Sequence, residues 1–164
     1  MTTPYNLLGE YSVTLDAKGR LRLPSSLIKG LGDRDTLKMV VNRGLTNCLT
    51  IYPMDVWDTV RKPIDELNSF DRRADKLKRL FYRGATEVVP DSADRILLPK
   101  GLQTILKKNL EEGAKLKNLV LIGLNNKIEI WDESEYERML EDEADEYGSL
   151  SEDLLGYSSR EPLA

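Results

Sequence analysis

The sequence predicts an α+β fold built as a tandem repeat: two similar β units with flanking helices, packed about a pseudo-twofold axis. Three observations carry this. First, Gly9-Glu10-Tyr11-Ser12-Val13-Thr14-Leu15-Asp16 returns as Gly84-Ala85-Thr86-Glu87-Val88-Val89-Pro90-Asp91, at an offset of 75. The same offset sets Arg20 on Arg95, Leu21 on Ile96, Leu23 on Leu98, Pro24 on Pro99 and Leu27 on Leu102. Second, Leu49-Thr50-Ile51-Tyr52 returns as Ile128-Glu129-Ile130-Trp131 at an offset of 79, with Gly44-Leu45-Thr46-Asn47 on Gly123-Leu124-Asn125-Asn126. The difference assigns four extra residues to the Lys107–Lys115 connection. Third, each half alternates period-two strands with short helices, the pattern of an α+β unit.

The elements follow in order. Tyr11, Val13 and Leu15 alternate with polar neighbours, as do Leu21 and Leu23, so two short strands flank the Asp16–Gly19 turn. Gly19 suits a positive φ, which predicts a tight hairpin. Pro24 opens a short helix, because proline is tolerated in a first turn. Leu37 to Val41 and Cys48 to Tyr52 read as a second strand pair, turning through Arg43 to Asn47. Met54 to Arg61 and Asp71 to Tyr82 read as helices separated near Pro63, the second with an apolar stripe of Leu77, Leu80 and Phe81. That stripe is expected to pack in the core. Pro99 to Lys108, Leu119 to Ile122 and Ile128 to Trp131 repeat the pattern, and Glu133 to Tyr147 ends it as an acidic helix. The expected organisation is a first repeat over 5–80, a second over 81–147, both in one compact domain, and an acidic tail over 148–164, a solvated helix face with a disordered end. Halves this small bury little apolar surface alone, so joining them or oligomerising is the expected remedy.

Composition narrows the chemistry. With 40% hydrophobic and 32% charged residues the chain reads as a soluble globular protein. No run approaches the roughly 18 apolar residues a membrane helix needs. The start, Met1-Thr2-Thr3-Pro4-Tyr5, lacks a secretory pattern, so a cytoplasmic location and no membrane partner are expected. One cysteine and no histidine leave no internal disulfide, no usual zinc ligand set and no Ser-His-Asp or Cys-His arrangement. Cys48, in a strand-like run, reads as a small core or surface residue more readily than as a nucleophile. No catalytic residue, metal, cofactor or small-molecule substrate is expected.

The net charge of −4 is a poor guide because it is polarised. From Asp132 to Ala164 there are twelve acidic residues against Arg138 and Arg160; the chain before Asp132 carries 22 basic and 16 acidic side chains. Phosphates respond to the local field, and that body is basic.

Asp-x-x-x-Arg means little once. Twice, at matching repeat positions and each time before apolar-x-apolar-Pro, it is specific: Asp16 to Arg20 and Asp91 to Arg95. Across a short loop the aspartate can accept hydrogen bonds from loop amides while orienting the guanidinium. A pair that only shapes its loop is one reading, although exposed pairs are worth only about 0–1 kcal/mol. The other is that Arg20 and Lys18 project toward phosphate or guanine, with Arg22 extending the stripe on the same strand face. Asp16, Gly19 and Asp91 would then structure the loops.

At these residues the chain resembles the MraZ family. Gly9-Glu10-Tyr11, Leu15 through Arg20 and Pro24 look like its first half; Gly84-Ala85-Thr86-Glu87, Asp91 through Pro99 and Ile128-Glu129-Ile130-Trp131 look like its second, and the match spans roughly residues 5 to 145. The resemblance implies AbrB-like swapped-hairpin units, two per chain, and ring-shaped homo-oligomers. It also implies a nucleoid-associated DNA-binding regulator of the division and cell-wall gene cluster, acting on short direct repeats in double-stranded promoter DNA. The family's DNA-reading arginines fall on Arg20 and Arg95, and its loop lysine on Lys18. The second half departs from the pattern: Asp94 replaces the glycine before the arginine and Ala93 stands opposite Lys18. Asp94 adds a negative charge beside Arg95, able to pair with it, and the first loop is therefore expected to dominate DNA contact. Two other classes remain open: an oligomeric scaffold or antitoxin-like partner using the acidic Glu141–Glu146 block, and a hydrolase using Asp16 and Asp91. Depressed aspartate pKa values would speak against acid catalysis in the latter.

Overall fold

The computed structural model describes residues 5–156. The expectations for the first four residues and for the disordered end of the tail, 157–164, lie outside the described residues. The chain divides into two units, Met1–Glu133 and Ser134–Ala164.

The first half contributes β1 (Glu10–Thr14), β2 (Arg20–Arg22), α1 (Ser25–Leu31), β3 (Met39–Arg43) and β4 (Leu49–Pro53), followed by α2 (Met54–Asp65) and α3 (Arg72–Tyr82). The second repeats the series as β5 (Thr86–Val88), β6 (Arg95–Leu97), α4 (Lys100–Lys107), β7 (Asn118–Gly123) and β8 (Ile128–Asp132). The strands form a six-stranded sheet in the order β1-β7-β8-β4-β3-β5 and a separate two-stranded ribbon, β2-β6.

The halves exchange strands. β1 pairs with β7, β5 with β3, β2 with β6 and β4 with β8, all antiparallel; only β3-β4 and β7-β8 are hairpins within a half. This corrects the tight hairpin expected around Asp16–Gly19. The turn itself closes, with Gly19 N–H donating to Asp16 O at 3.0 Å and Asp16 N–H to Arg20 O at 2.8 Å, but its two strands leave for the other half. The exchange has a packing reason. Leu21 and Ile96 meet as cross-strand partners and are each 1% exposed, burial that a three-residue strand in one small half could not reach alone.

Register places the pseudo-twofold axis. Leu21 and Ile96, equivalent at the offset of 75, face each other in the ribbon; Thr50 and Glu129, equivalent at the offset of 79, face each other at the sheet centre. Met39 opposite Val88 matches Leu119 opposite Val13, so Met39 of β3 corresponds to Leu119 of β7, at an offset of 80. The α4-to-β7 connection is thus five residues longer than its counterpart, and the β7-β8 turn one shorter than the β3-β4 turn. Arg43, not Gly44, corresponds to Gly123. Around this axis Leu49, Ile51, Ile128 and Ile130 are fully buried, and Leu23, Leu98, Leu27 and Leu102 close the core beneath the ribbon.

Helices α2 and α3 cover one side through Trp57, which stacks on Phe81 with ring centroids 5.4 Å apart and packs with Val40 and Tyr52. Pro63 lies inside α2 rather than between helices: it sits in the last turn, where its missing N–H and its clash affect little helix beyond it. On α3 the inward face runs through Ala74, Lys78 and Phe81. Leu77 and Leu80 stand to one side of it and are 44% and 54% exposed, so of the expected core stripe only Phe81 packs inward.

The second unit is helical: α5 (Glu133–Glu143), whose first residue ends the first unit, then α6 (Tyr147–Leu155), with Gly156 left-handed at its end. Helix α6 occupies positions that charge alone assigns to a tail. Its Tyr147, Leu150, Leu154 and Leu155 recur at helical spacing. Among the described residues no helix is long and apolar enough to cross a membrane.

Candidate nucleic-acid interface

Each Asp-x-x-x-Arg turn is built from its aspartate outward. One Asp16 oxygen accepts the Lys18 and Arg20 amides, both at 2.9 Å, and the other accepts Arg20 Nε at 3.0 Å. Asp91 does the same for the Ala93 and Arg95 amides at 2.9 Å and for Arg95 Nε at 2.9 Å. Both carboxyls are held below the ordinary aspartate value, first by the arginine's backbone N–H, with its guanidinium and the other loop amide adding to the effect. The guanidinium is thereby fixed through Nε, the end nearest the backbone. Each turn is tied to the other half as well: Leu98 N–H donates to Gly19 O and Leu23 N–H to Asp94 O, both at 2.8 Å.

The turns differ at the residue before the arginine. Gly19 has φ +82° and is backed by Gln103, whose side-chain amide fills the space a Cβ would need. Asp94 adopts the same left-handed region, φ +62°, which aspartate tolerates better than most residues. It does not pair with Arg95. Arg34, from the connection after α1, donates from Nε to Asp94 at 2.6 Å and from an Nη to the Asp91 carbonyl at 2.5 Å. Arg95 is already held by Asp91, so the free Asp94 carboxylate turns to the cation arriving from the other half.

In the ribbon Leu21 and Ile96 point into the core. Alternation sends Arg20, Arg22, Arg95 and Leu97 to the opposite, solvent-facing side, with Arg20 across from Leu97 and Arg22 directly across from Arg95. The expected residues Lys18, Arg20, Arg22 and Arg95 are therefore brought to one ribbon and its turns. Like charges directly opposite each other cost stability. Arg22 makes no ion pair among the described residues, and Leu97 occupies the position equivalent to it in the second half.

Beside each turn lies a groove. The one at the first turn, about 710 Å³, is lined by Lys18, Lys100, Lys107, Lys115 and Lys117, with Asp16 its one carboxylate. The one at the second turn, about 500 Å³, carries only Arg22 and Asp94 as charged residues. Sequence reasoning missed both Arg34 and the four lysines from 100 onward, because they come from the opposite half. The signals available were an aspartate in a glycine's place, which calls for a cation, and the lysine pairs 107–108 and 115–117 in the lengthened connection.

Cys48 is 1% exposed and burial pushes its thiol up to about 11, so at neutral pH it is a protonated core residue. The two aspartates sit in separate turns, each engaged by an arginine and held ionised, which does not suit a general acid. Among the described residues no cluster of ligating side chains could hold a metal.

Comparison with known proteins agrees with the duplicated architecture. A family model described as "MraZ protein, putative antitoxin-like" matches twice, over residues 7–80 and 81–154. Three similar relatives, each named transcriptional regulator MraZ, come from Christiangramia forsetii, Moorella thermoacetica and Cytophaga hutchinsonii. The first is 37% identical over 92% of this chain and 94% of its own length; the second is 36% identical over 92% and 97%. The third is 33% identical over 93% and 97%. A match across both repeats and nearly the full length places this chain in the MraZ family.

Proposed function

We propose that this protein is a cytoplasmic, nucleoid-associated transcriptional regulator that reads double-stranded promoter DNA with the β2-β6 ribbon and its two turns. The observation that carries the reading is the solvent face of the ribbon. Three arginines lie together on it, two of them cross-strand partners, while the opposite face is sealed into the core. A DNA major groove admits a two-stranded β-ribbon, and arginine matches both guanine and phosphate in a bidentate manner. The names of the relatives support regulation of transcription. The target we propose, in keeping with the family resemblance, is the promoter of the division and cell-wall gene cluster, through short direct repeats.

One ribbon neutralises few phosphates, so a single subunit binds weakly and in a salt-sensitive way. Several subunits in a homo-oligomeric ring, each meeting one repeat, raise avidity by about 10²–10⁴. The test is a footprint on the DNA upstream of the protein's own gene, with affinity titrated against repeat number. Protection at regular intervals and a steep gain from one repeat to three are expected. A stable monomer by sedimentation that binds one repeat as tightly as three would overturn the reading.

A further inference from the structure

Five lysines converge on one groove. Lys18 comes from the first turn, Lys100 and Lys107 from the two ends of α4, and Lys115 and Lys117 from the connection into β7. All are exposed, and none forms an ion pair among the described residues. The one carboxylate lining the groove, Asp16, is taken up by Arg20 and two loop amides. Glu111 and Glu112 belong to the same connection as Lys115 but do not line the groove. Like charges lining one groove repel one another, and a polyanion in the groove relieves that repulsion.

The position of the groove says which polyanion. Leu97 belongs both to the groove lining and to the solvent face of the ribbon, where it sits opposite Arg20. The lysines therefore begin where the base-reading face ends. At the positions equivalent by the internal repeat, Ala93, Ser25, Gly32, Asp35 and Leu37 stand where this groove has Lys18, Lys100, Lys107, Lys115 and Lys117, so the second turn has no such surplus. The concentration of charge is thus a property of one turn and not of the fold.

We propose that this groove is a second binding surface for the DNA read by the first turn. Lys100, Lys107, Lys115 and Lys117 hold the phosphodiester backbone flanking the bases that Arg20 reads. The inference rests on the DNA-binding reading above. It makes the first turn the anchored end of the interface, and it separates two roles: ribbon arginines choose the sequence, and groove lysines set affinity without choosing.

The experiment compares the full-length protein with a variant carrying Lys→Gln at 100, 107, 115 and 117, by fluorescence anisotropy on an operator duplex and on a scrambled duplex of equal length, across a salt series. Each phosphate left without its lysine lowers the slope of log affinity against log salt by about 0.9, so a reduction of about 2–4 is expected. Affinity for both duplexes falls by the same factor, leaving their ratio unchanged. Should the quadruple variant lose its circular dichroism signature, the pairs Lys100→Gln/Lys107→Gln and Lys115→Gln/Lys117→Gln are each expected to give about half the reduction. An unchanged slope overturns the proposal. So does an unchanged slope accompanied by loss of inorganic pyrophosphate binding in calorimetry, which would assign the groove to a free phosphate ligand. If the unaltered protein itself shows no salt-dependent DNA binding, the functional reading fails and this proposal falls with it. If Arg20→Ala abolishes operator preference while the lysine variant keeps the full slope, only the groove assignment fails.

Discussion

In the first turn Asp16 holds the Lys18 and Arg20 amides at 2.9 Å, and in the second Asp91 holds Ala93 and Arg95 at the same distance. Beyond those bonds the two diverge. The first has glycine at the left-handed position, a lysine beside it, a lysine-lined groove, and Leu15 N–H donating to Lys117 O at 2.8 Å. The second has Pro90 where Leu15 stands, so it has no N–H to give there. It is tied instead by Arg34, which reaches Asp94 and the Asp91 carbonyl. The difference teaches that duplication copied the Asp-x-x-x-Arg device and not the charges around it. Short-range hydrogen bonds fix the shape of both turns, while cations supplied by the opposite half decide what each can face. We read the first turn as the main contact with DNA and the second as the weaker one, its added cation used internally.

The sharpest way to break that comparison is to remove each arginine in turn. Arg20→Ala is expected to lower operator affinity by about 1–3 kcal/mol, the value of a good bidentate contact, or roughly 5- to 150-fold. Arg95→Ala is expected to cost less than half of that. Titration of both variants against one duplex at one salt concentration decides it, and equal losses would abolish the ranking of the turns.

The Arg34 tie is the next lever, and it acts on stability. Arg34→Ala leaves the Asp94 side chain without its partner in a left-handed backbone. Because both side chains are partly exposed, 39% and 24%, the expected cost is only about 1 kcal/mol. For a chain of this length that lowers the thermal midpoint by about 2–4 °C. Adding Asp94→Gly should restore it, since glycine removes the carboxylate and accepts the positive φ; adding Asp94→Ala should not, because alanine keeps the strain. A fully stable Arg34→Ala, or rescue by alanine as well as glycine, would show that the tie does not hold the turn.

What is legible in the sequence divides along the same line. The Asp-x-x-x-Arg geometry can be read because every atom in it lies in one short stretch, which supplies the loop amides, the carboxylate and the guanidinium together. The duplication is equally plain. The exchange of β1 and β2 to separate partners is not visible in alternation, because a closed hairpin and an exchanged one place the same residues on the same faces; only the family resemblance implies it. The true β3-to-β7 offset is hidden by two compensating length changes, five residues gained before β7 and one removed after it. Arg34 and the lysines are invisible for a stronger reason: the turns they flank belong to the opposite half, at separations no motif spans. Asp94 is itself a cue for a cation, but the cation nearest in sequence, Arg95, is not the one that answers it.

The smallest expected effect tests whether the shared skeleton is independent of what it presents. Both aspartates sit below their ordinary value of 3.8, and the leading cause in each is the backbone N–H of the arginine four residues on. A carboxyl whose folded pKa is depressed contributes stability that is present above the unfolded value and lost as pH falls through the folded one. The turns should therefore keep their form from neutral pH down to the ordinary carboxylate range, and loosen only below it. Carbon-detected NMR titration of the two side-chain carboxyls is expected to give midpoints under 3.8 at both positions. In Arg20→Ala the amide remains, so the Asp16 midpoint should rise only part of the way, and Asp91 should not move. A complete return of Asp16 to the ordinary value would mean that the guanidinium, not the amide, organises the turn. The arginine we assign to DNA would then also be holding the loop together, and any loss of binding on its removal would have to be divided between the two roles.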